Sequence, residues 1–356
     1  MKTAPIVPGR VEWTPEGLPR SPDFGDVYHP AAGAFAQARH VFLAGNGLPG
    51  RWAERERFVI LETGFGLGNN FLATWAAWRA DPARCARLVF VSVENHPLTR
   101  DDLARAHAAS PLPELAAALQ AAWPPSTPNL HPIDFDDGRV QLLLGFGDAV
   151  RLLPQLVAAV DAFFLDGFAP AKNPAMWDAQ LLARLGRLAA PGATAATWSA
   201  ARSVRDGLAA AGFEVQAAPG HGGKRDITVA RFAPRHRTAP PPGGWHAHGG
   251  PGEALVVGAG LAGCAAAWAL ARQGWACRVI DRAAAPAQGT SGNAAGLVHG
   301  SVHGDDGPHA RAHRAAALRA VRVAAPWIAS GAMAGALTGC LRLDAGVTSA
   351  AARLAA

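Results

Sequence analysis

The stretch that decides the fold reads Phe58-Val59-Ile60-Leu61-Glu62-Thr63-Gly64-Phe65-Gly66-Leu67-Gly68-Asn69-Asn70. Its first four residues are apolar, which predicts a buried strand. The three alternate glycines permit a tight turn and a close approach of a ligand to the backbone. Residues 70–79 are predicted to form a helix, whose N-terminal N–H groups are free to bind a ligand. This order of strand, turn and helix indicates a nucleotide- or nucleoside-binding unit.

Strands alternate with helices downstream of this turn. Strands are predicted at residues 88–93, 140–144, 162–165 and 193–197, and helices at residues 98–109 (with Thr99 and Asp101 as candidate caps), 149–160, 176–188 and 204–211. Residues 213–216 and 227–232 are predicted to close the sheet as a hairpin. The alternation predicts an α/β domain with a parallel, Rossmann-like sheet and helices on both faces.

Acidic residues follow the predicted strands. Glu94 ends the second strand, Asp148 follows the third and Asp166 follows the fourth. Because the carboxyl ends of parallel strands meet at one edge, these acids are expected to converge on one crevice. Glu94 could accept both ribose hydroxyl protons of a nucleoside, and Asp148 could meet an adenine amino group. The alternative is that both acids only cap strand ends, and that Asp166 only caps the next turn.

The segment Phe163-Phe164-Leu165-Asp166-Gly167-Phe168-Ala169-Pro170-Ala171-Lys172-Asn173-Pro174 carries the most specific chemistry. A buried strand delivers Asp166 to its end, and a proline-stiffened loop follows. A carboxylate there could orient an amine and take its proton during methyl transfer. Lys172, one of three lysines in the chain, could hold an RNA phosphate or simply be solvated.

These motifs resemble those of a known family. The segments LDGFAPAKNPAMW (165–177), ETGFGLGNNF (62–71), VSVENHPLTRDDL (91–103) and GFGDAV (145–150) are similar to the methyltransferase domain of the bifunctional tRNA 5-methylaminomethyl-2-thiouridine biosynthesis proteins. The segments FGDVYHP (24–30), RHVFLAGNGL (39–48) and GGKRDITVARF (222–232) also fit. The resemblance implies a class I methyltransferase fold and S-adenosylmethionine-dependent methylation of an aminomethyl group on the wobble uridine in the tRNA anticodon loop.

The resemblance also implies roles for individual residues. It assigns the S-adenosylmethionine site to Glu62, Gly64, Gly66, Gly68, Glu94 and Asp148. It makes Asp166 the catalytic residue, with Lys172 and Asn173 nearby in the same loop, and it places Tyr28 close to the pocket. Lys224 and Arg225 are candidates for contacts with tRNA phosphates, although solvated surface residues would look the same. Residues 67 and 69 depart from the family, which more often has Thr-Gly-Leu-Asn in this turn.

A second glycine turn begins a second α/β unit. Leu255-Val256-Val257-Gly258-Ala259-Gly260-Leu261-Ala262-Gly263 precedes an alanine-rich helix, and the next strand ends at Asp281. Strand, G-x-G-x-x-G, helix, strand and acid together are typical of a dinucleotide site. Gly258, Gly260 and Gly263 are expected to allow the turn, the pyrophosphate approach and helix packing, and Asp281 to bind ribose.

The segment AQGTSGNAAGLVHG (287–300) resembles part of the family's FAD-dependent oxidase domain, through Ser291, Gly292 and Asn293. That resemblance implies FAD and oxidative removal of a carboxymethyl group from the same uridine. Residues 253–356 number 104, fewer than such a domain needs. We therefore expect this domain to be incomplete and unable to bind FAD productively, which an absorbance band near ~450 nm would refute. The predicted organisation is a methyltransferase domain at 1–232, a Pro/Gly/His-rich linker at 233–252 and a partial FAD domain at 253–356.

Composition restricts the class of protein. The chain is 50% hydrophobic and 17% charged with a net charge of +6, which excludes global disorder and permits an anionic partner. Four cysteines without a C-x-x-C pair, and a start without an apolar signal segment, suit the cytoplasm. No membrane span is expected. No metal is expected either, since the linker histidines at 236, 246 and 248 have no cysteine or carboxylate among them.

Two other functions stay open at this stage. One is an FAD- or NAD-dependent oxidoreductase whose N-terminal domain binds a nucleoside for regulation. The other is a tRNA-binding protein without catalytic activity. Transfer of label from S-adenosylmethionine to hypomodified tRNA distinguishes the methyltransferase from both.

Overall fold

The computed structural model describes residues 4–235, 251–301 and 306–339. The chain divides into two compact units, residues 2–238 and residues 239–356. Most of the predicted linker, including its three histidines, lies outside the described residues. The predicted domain boundaries therefore stay predictions.

The strands of the first unit are β1 (Glu12–Trp13), β2 (Pro19–Ser21), β3 (Asp26–Val27), β4 (Arg57–Thr63), β5 (Arg87–Glu94), β6 (Leu130–Phe135), β7 (Val140–Phe146), β8 (Val160–Leu165), β9 (Ala189–Thr197), β10 (Phe213–Pro219) and β11 (Asp226–Phe232). Its helices are α1 (Ala34–Gln37), α2 (Asn69–Ala80), α3 (Arg100–Ala106), α4 (Pro113–Ala121), α5 (Ala149–Leu152), α6 (Ala179–Leu188) and α7 (Arg202–Ala210), and a π-helical segment, Ala38–Leu43, follows α1.

Eight of these strands form one sheet in the order β10-β11-β9-β8-β4-β5-β7-β6. The five central strands are parallel, and β6, β10 and β11 are antiparallel to their neighbours. The predicted Rossmann-like α/β sheet and its closing hairpin are confirmed. The sequence analysis did not predict β6, α4 or the separate small sheet β1-β2-β3 near the N-terminus.

Hydrophobic residues pack on both faces of the large sheet, as the alternation of strands and helices predicts. Ile60 of β4 belongs to a cluster that includes Phe71 and Trp75 of α2. Its neighbour Leu61 belongs to the opposite cluster, with leucines of α6 and α7. Successive side chains of a strand point to opposite faces, so the apolar run of β4 contributes core residues to both faces of the sheet. The strand ends, and the loops that follow them, are thereby fixed in position.

Three predicted helices differ from those observed. Helix α3 begins at Arg100, where Thr99 Oγ1 accepts a hydrogen bond from the Asp102 N–H, so the Thr99 cap is confirmed. The helix predicted at residues 149–160 is wrong in length, because α5 ends at Leu152 and a turn containing Pro154 follows. The helix predicted at residues 176–188 is a short turn followed by α6, which Asp178 caps.

The second unit contains β12 (Glu253–Val257), α8 (Leu261–Ala271), β13 (Ala276–Ile280) and α9 (Pro308–Ala329). The two strands are parallel, with Val257 opposite Ile280. This is the strand–helix–strand unit that the second glycine turn predicts. The side chains of β12 are largely exposed, since Leu255 and Val257 have relative accessibilities of 60% and 78%.

Candidate functional site

A cavity of about 810 Å³ opens at the carboxyl ends of the parallel strands in the first unit. The turn after β4, the end of β5 and the loops after β7, β8 and β9 all contribute to its lining. Residues 21–30, around the end of the small sheet, form another part of the wall. The acids after three successive strands therefore meet in one crevice, as the sequence analysis expected. The predicted residues that line it are Tyr28, Gly64, Gly66, Glu94, Asp148, Asp166, Asn173 and Lys224.

The backbone angles and the close packing of the turn after β4 both require glycine. Gly64, Gly66 and Gly68 have φ values of 79°, 52° and 74°, which L side chains rarely adopt. A Cβ at Gly64 would lie 3.2 Å from the backbone oxygen of Asp166. Gly68 lies behind the cavity wall, where a Cβ would be 2.7 Å from the Phe65 ring. Gly64 and Gly66 are therefore the glycines whose backbone meets the cavity.

Glu94 and Asp148 both bind local backbone and line the cavity. The two carboxylate oxygens of Glu94 accept from the N–H groups of Gly66 (2.9 Å) and His96 (2.8 Å). Asp148 caps α5 by accepting from the Val150 N–H at 2.9 Å. Each carboxylate oxygen can accept a further hydrogen bond. The capping role and the ligand-binding role are thus compatible at both residues.

Asp166 is held at the cavity by three hydrogen bonds to its carboxylate. Oδ1 accepts from the Gly167 N–H (2.8 Å) and from Trp198 Nε1 (3.1 Å), and Oδ2 accepts from Asn70 Nδ2 (2.7 Å). Burial raises the pKa of Asp166 to about 6, while these donors pull it back toward its ordinary value. A carboxyl group with that pKa is a base at neutral pH and can accept a proton.

Glu62 does not reach the cavity. Its side chain is fully buried, and its two oxygens accept from Asn70 Nδ2 (2.9 Å) and Ser92 Oγ (2.7 Å). Burial and the nearby carboxylate of Asp166 raise the pKa of Glu62 well above its ordinary value. Glu62 is therefore placed to support its neighbours, and a direct contact with a donor molecule does not fit this position.

Aromatic rings form part of the cavity wall, and Tyr28 packs close to Gly66 of the glycine turn. Tyr28 lies edge-on to Phe168, with ring centroids 5.2 Å apart, and Phe24 stacks on Phe168 at 4.7 Å. Burial raises the pKa of the Tyr28 phenol, so it stays neutral at physiological pH. Flat apolar rings of this kind are suited to contact a nucleobase.

Lys172 fastens the loop after β8 to the N-terminal segment. Its Nζ donates to the Gly25 carbonyl (2.6 Å) and to Asp26 Oδ1 (3.1 Å), and the Ala169 N–H donates to Asp26 Oδ2 (2.9 Å). Asn173, one residue on, lines the cavity. The predicted phosphate contact of Lys172 stays a prediction, and its ammonium already has two partners within the chain.

The side chains of the adjacent residues Lys224 and Arg225 point to different places, the first to the cavity and the second to solvent. Lys224 Nζ lies 3.5 Å from the ring centroid of Trp198, and Lys224 lines the cavity. Burial lowers the pKa of Lys224, against the opposing effect of Asp26 and Asp166. The Arg225 side chain is 95% exposed, with only a 3.8 Å contact to Asp226. Lys224 thus belongs to the cavity, and Arg225 belongs to the surface beside it.

Four residues that the sequence analysis did not select complete the site: Asp26, Asn70, Ser92 and Trp198. Trp198 directly follows β9 and could have been found by the rule that selected the other strand ends. Asn70 stands in the glycine turn motif, and Ser92 precedes Glu94 by two residues. Asp26 stands in the segment FGDVYHP, which fits the family resemblance, but its role was not predicted because its partners lie more than 140 positions away in the chain.

The second glycine turn packs closely against the start of α8, and its role in dinucleotide binding stays a prediction. A Cβ at Gly263 would lie 1.8 Å from the Gly258 oxygen, so only glycine permits this helix to approach the turn. Asp281 Oδ2 accepts from the Ala259 N–H (2.7 Å), and backbone bonds lower the pKa of Asp281. Ser291 Oγ accepts from the Leu261 N–H at 3.0 Å, at the start of α8. Gly292 and Asn293 follow directly in a short turn that begins at Thr290.

The described residues contain neither a candidate metal cluster nor a helix that could span a membrane. Residues 4–235, 251–301 and 306–339 contain no group of three or more His, Cys, Asp or Glu residues placed to hold a metal ion. None of the helices in the same ranges is long and apolar enough to cross a membrane.

Family models match both units. Residues 110–233 match the S-adenosyl-L-methionine-dependent methyltransferase model, and residues 253–355 match the FAD dependent oxidoreductase model. These matches fit the predicted cofactors, S-adenosylmethionine and FAD, one for each unit.

Curated relatives match across both units. The tRNA 5-methylaminomethyl-2-thiouridine biosynthesis bifunctional protein MnmC of Methylibium petroleiphilum is 72% identical over all 356 residues, which cover 54% of that protein. The protein of the same name from Aromatoleum aromaticum is 55% identical over 318 residues, 88% of this chain and 49% of that protein. The chain spans about half the length of these relatives.

A solved structure supports the fold. MNMC2 from Aquifex aeolicus superposes with a TM-score of 0.52 at 24% identity, covering 64% of this chain and 71% of that one.

Proposed function

We propose, from the premise that the chain belongs to the family of tRNA 5-methylaminomethyl-2-thiouridine biosynthesis bifunctional proteins, that its first unit methylates the aminomethyl group of a wobble uridine in tRNA. One observation carries this proposal: the Asp166 carboxylate lies at the cavity, between the glycine turn and Trp198, with its pKa raised to about 6. A base in that position suits an amine that must lose a proton as it is methylated.

The glycine turn and the acids around it fit S-adenosylmethionine. Gly64 and Gly66 offer backbone at the cavity surface, Glu94 has acceptor capacity for ribose hydroxyls, and Asp148 lies at the next strand end for the adenine amino group. When bound, S-adenosylmethionine supplies a methyl group on a sulfonium sulfur, which keeps the electron pair of the breaking C–S bond as the new C–N bond forms. Glu62 and Gly68 support this site from behind its wall.

Asp166 orients the acceptor amine and receives its proton. The amine attacks through its lone pair, so it must be unprotonated and in line with the methyl group. Lys224, held over Trp198, adds a positive charge near Asp166. This charge stabilises the ionised carboxylate and disfavours an ammonium group in the same pocket.

The target base enters the cavity splayed out of the anticodon loop, as single-stranded bases can be. Tyr28, Phe168 and Asn173 line the part of the cavity that would receive it. Arg225, exposed beside the cavity, contacts a tRNA phosphate, whereas Lys172, with its bonds to Gly25 and Asp26, holds the N-terminal wall of the cavity. A tRNA substrate places the protein in the cytoplasm.

From the sequence, the second unit is expected to be incomplete, but the match of residues 253–355 to an FAD dependent oxidoreductase model favours FAD as its cofactor. The turn at Gly258, Gly260 and Gly263 would hold FAD, with Asp281 on the adenosine ribose and the turn of Ser291, Gly292 and Asn293 near the ring system. The close packing at Gly263, where a Cβ would clash with the Gly258 oxygen, and the Ser291 bond at the start of α8 support this assignment. When bound, FAD accepts a hydride, which suits oxidative removal of a carboxymethyl group from the same uridine. An absorbance band near ~450 nm in the purified protein tests the binding.

The experiment for the first unit uses methyl-labelled S-adenosylmethionine and hypomodified tRNA. Label is expected in tRNA with the parent protein, and Asp166→Asn is expected to abolish it while donor binding by calorimetry is retained. Asp101→Asn, an exposed aspartate in the first turn of α3, serves as the matched control. Absence of label in tRNA with the parent protein would overturn the proposal. A flavin-dependent oxidation without label transfer would support the oxidoreductase alternative instead.

A further inference from the structure

The acceptor positions of Asp166 are almost fully used by the protein. A carboxylate has about four lone-pair positions. The Gly167 N–H and Trp198 Nε1 fill both on Oδ1, and Asn70 Nδ2 fills one on Oδ2. Within the described part of the chain, a single position on Oδ2 is left for a ligand. The direction of Oδ2 therefore decides where an acceptor amine can bind.

Asn70 fixes that direction through a second carboxyl group. The amide nitrogen carries two hydrogens, of which one points to Asp166 Oδ2 (2.7 Å) and the other to Glu62 Oε1 (2.9 Å). Reversing the amide would place its oxygen against two acceptors, so the two carboxyl groups lock its orientation. Asn70 is the second residue of α2 and is itself buried.

Glu62 is the buried end of this chain of contacts. It is fully inaccessible, and its other oxygen is bonded to Ser92 Oγ at 2.7 Å. Burial, together with the nearby carboxylate of Asp166, raises the pKa of Glu62 above its ordinary value. Both oxygens of Glu62 thus accept hydrogen bonds, one from Ser92 Oγ and the other from Asn70 Nδ2.

We infer that Glu62 is a positioning residue, which acts through Asn70 to hold Asp166 Oδ2 toward the acceptor amine and does not contact the methyl donor. This inference rests on the proposed methyl transfer for its role. The geometry on which it stands, a Glu62–Asn70–Asp166 chain of hydrogen bonds, is independent of that reaction. It assigns two residues, Glu62 and Asn70, to the acceptor side of the site.

The test compares variants of both residues. Glu62→Gln keeps the shape of the side chain and an oxygen that accepts from Asn70 Nδ2, and the Ser92 hydroxyl can accept from the new amide, so we expect kcat to stay close to that of the parent. Glu62→Ala removes the support of Asn70, and we expect kcat to fall about 100-fold, as for a misplaced catalytic group, with the donor Kd from calorimetry unchanged. Rescue by Gln but not by Ala separates this role from simple loss of a charge. Glu56→Gln, an exposed glutamate just before β4, is the matched control.

Asn70→Ser removes the amide hydrogen bond to Oδ2, and we expect the acid limb of kcat/KM against pH to move to higher pH. Thr74→Val, which removes only the bond to the Asn70 backbone carbonyl, controls for disturbance of α2 and should leave that limb in place. Difference infrared spectroscopy of the Asp166 carboxyl, assigned with Asp166→Asn, reports the same shift without any activity. It therefore still tests the inference if methyl transfer fails.

Three results would overturn the inference. The first is a raised donor Kd in Glu62→Gln, which would make Glu62 a donor ligand. The second is a kcat that falls as far in Glu62→Gln as in Glu62→Ala, which would mean that the bond to Asn70 does not explain the role of Glu62. The third is an Asp166 titration unaltered in Asn70→Ser.

Discussion

The indole nitrogen of Trp198 donates a hydrogen bond to Asp166 Oδ1 at 3.1 Å, and the face of the same indole carries the ammonium of Lys224. One side chain thus contacts the proposed base through its edge and a cation through its face. The hydrogen bond favours the ionised carboxylate, because the N–H can donate to it. The cation–π contact holds Lys224 beside the cavity.

Trp198→Phe separates these two contacts. Phenylalanine keeps an aromatic face for Lys224 but cannot donate to Asp166. We expect the pKa of Asp166 to rise and kcat/KM at neutral pH to fall about tenfold, as for the loss of a hydrogen bond to a charged group. The measurement is the pH dependence of methyl transfer to tRNA. The control is Trp13→Phe, which removes an indole that packs against Arg105. An unchanged acid limb would show that Trp198 has no influence on the base.

Asp166 should make the protein more stable in mild acid. Its pKa is about 6 in the folded protein against an ordinary 3.8, so the folded state binds the proton more tightly than the unfolded state does. Its stabilising contribution is complete below pH 3.8 and is lost as the pH rises through 6. The Glu62 carboxyl contributes in the same direction.

We therefore expect the free energy of unfolding of Asp166→Asn, relative to that of the parent, to rise between pH 4 and pH 8 by up to about 3 kcal/mol, and by less where water in the cavity reaches the carboxylate. The difference from the parent should shrink toward pH 4. Urea denaturation across this range measures it, with Asp101→Asn as the control. A stability difference from the parent that is the same at pH 4 and pH 8 would contradict the raised pKa.

The parts of the fold that the sequence predicts are those where local pattern and tertiary environment agree. The apolar run at residues 58–61 lies in β4, and the acids placed at strand ends lie at one cavity. Strand β6 escaped prediction because Pro132 interrupts its pattern. It is tolerated there because β6 is the edge strand of the sheet, with Pro132 opposite Leu143 of β7.

The sequence predicted many residues of the candidate site, but it did not predict the hydrogen-bond partners of their side chains. Glu62 was selected from the motif, but only the fold reveals that it faces Asn70 and Ser92 instead of the cavity. Lys172 was selected for its rarity, and only the fold brings it to Asp26, which is 146 positions away. A sequence pattern fixes which residues lie at a strand end. The partners of their side chains depend on packing between distant segments.

Lys224 and Arg225 should affect different steps. Lys224→Met removes a cation near Asp166, so we expect the pKa of Asp166 to rise and kcat at neutral pH to fall. Arg225→Ala removes one exposed charge, so we expect weaker tRNA binding, kcat unchanged, and a salt slope of log K reduced by about 0.7–0.9. Binding of tRNA at several salt concentrations, together with single-turnover methyl transfer, separates the two. Equal salt slopes for Arg225→Ala and the parent would exclude the phosphate contact.

Lys172→Met tests whether this lysine holds RNA or holds the protein together. Loss of its bonds to Gly25 and Asp26 should loosen the N-terminal wall of the cavity. We expect a higher donor Kd and faster proteolysis near residues 12–27, with the salt slope of tRNA binding unchanged. The control is Arg10→Ala, which removes a surface ion pair with Asp23, another cavity-lining residue of the same N-terminal segment. It measures the effect of loosening that segment without removing Lys172. A reduced salt slope with normal donor binding would instead assign Lys172 to a phosphate.

Gly263→Ala should abolish flavin binding by the second unit. The new Cβ would lie 1.8 Å from the Gly258 oxygen, so α8 has to move away from the turn that would receive the pyrophosphate. Gly296→Ala is the matched control, because a Cβ there meets nothing within 4 Å. The measurement is the flavin absorbance retained after purification and reconstitution with FAD. If Gly263→Ala retains as much flavin as Gly296→Ala, the bound flavin does not depend on this turn, and the dinucleotide assignment of Gly258, Gly260 and Gly263 fails.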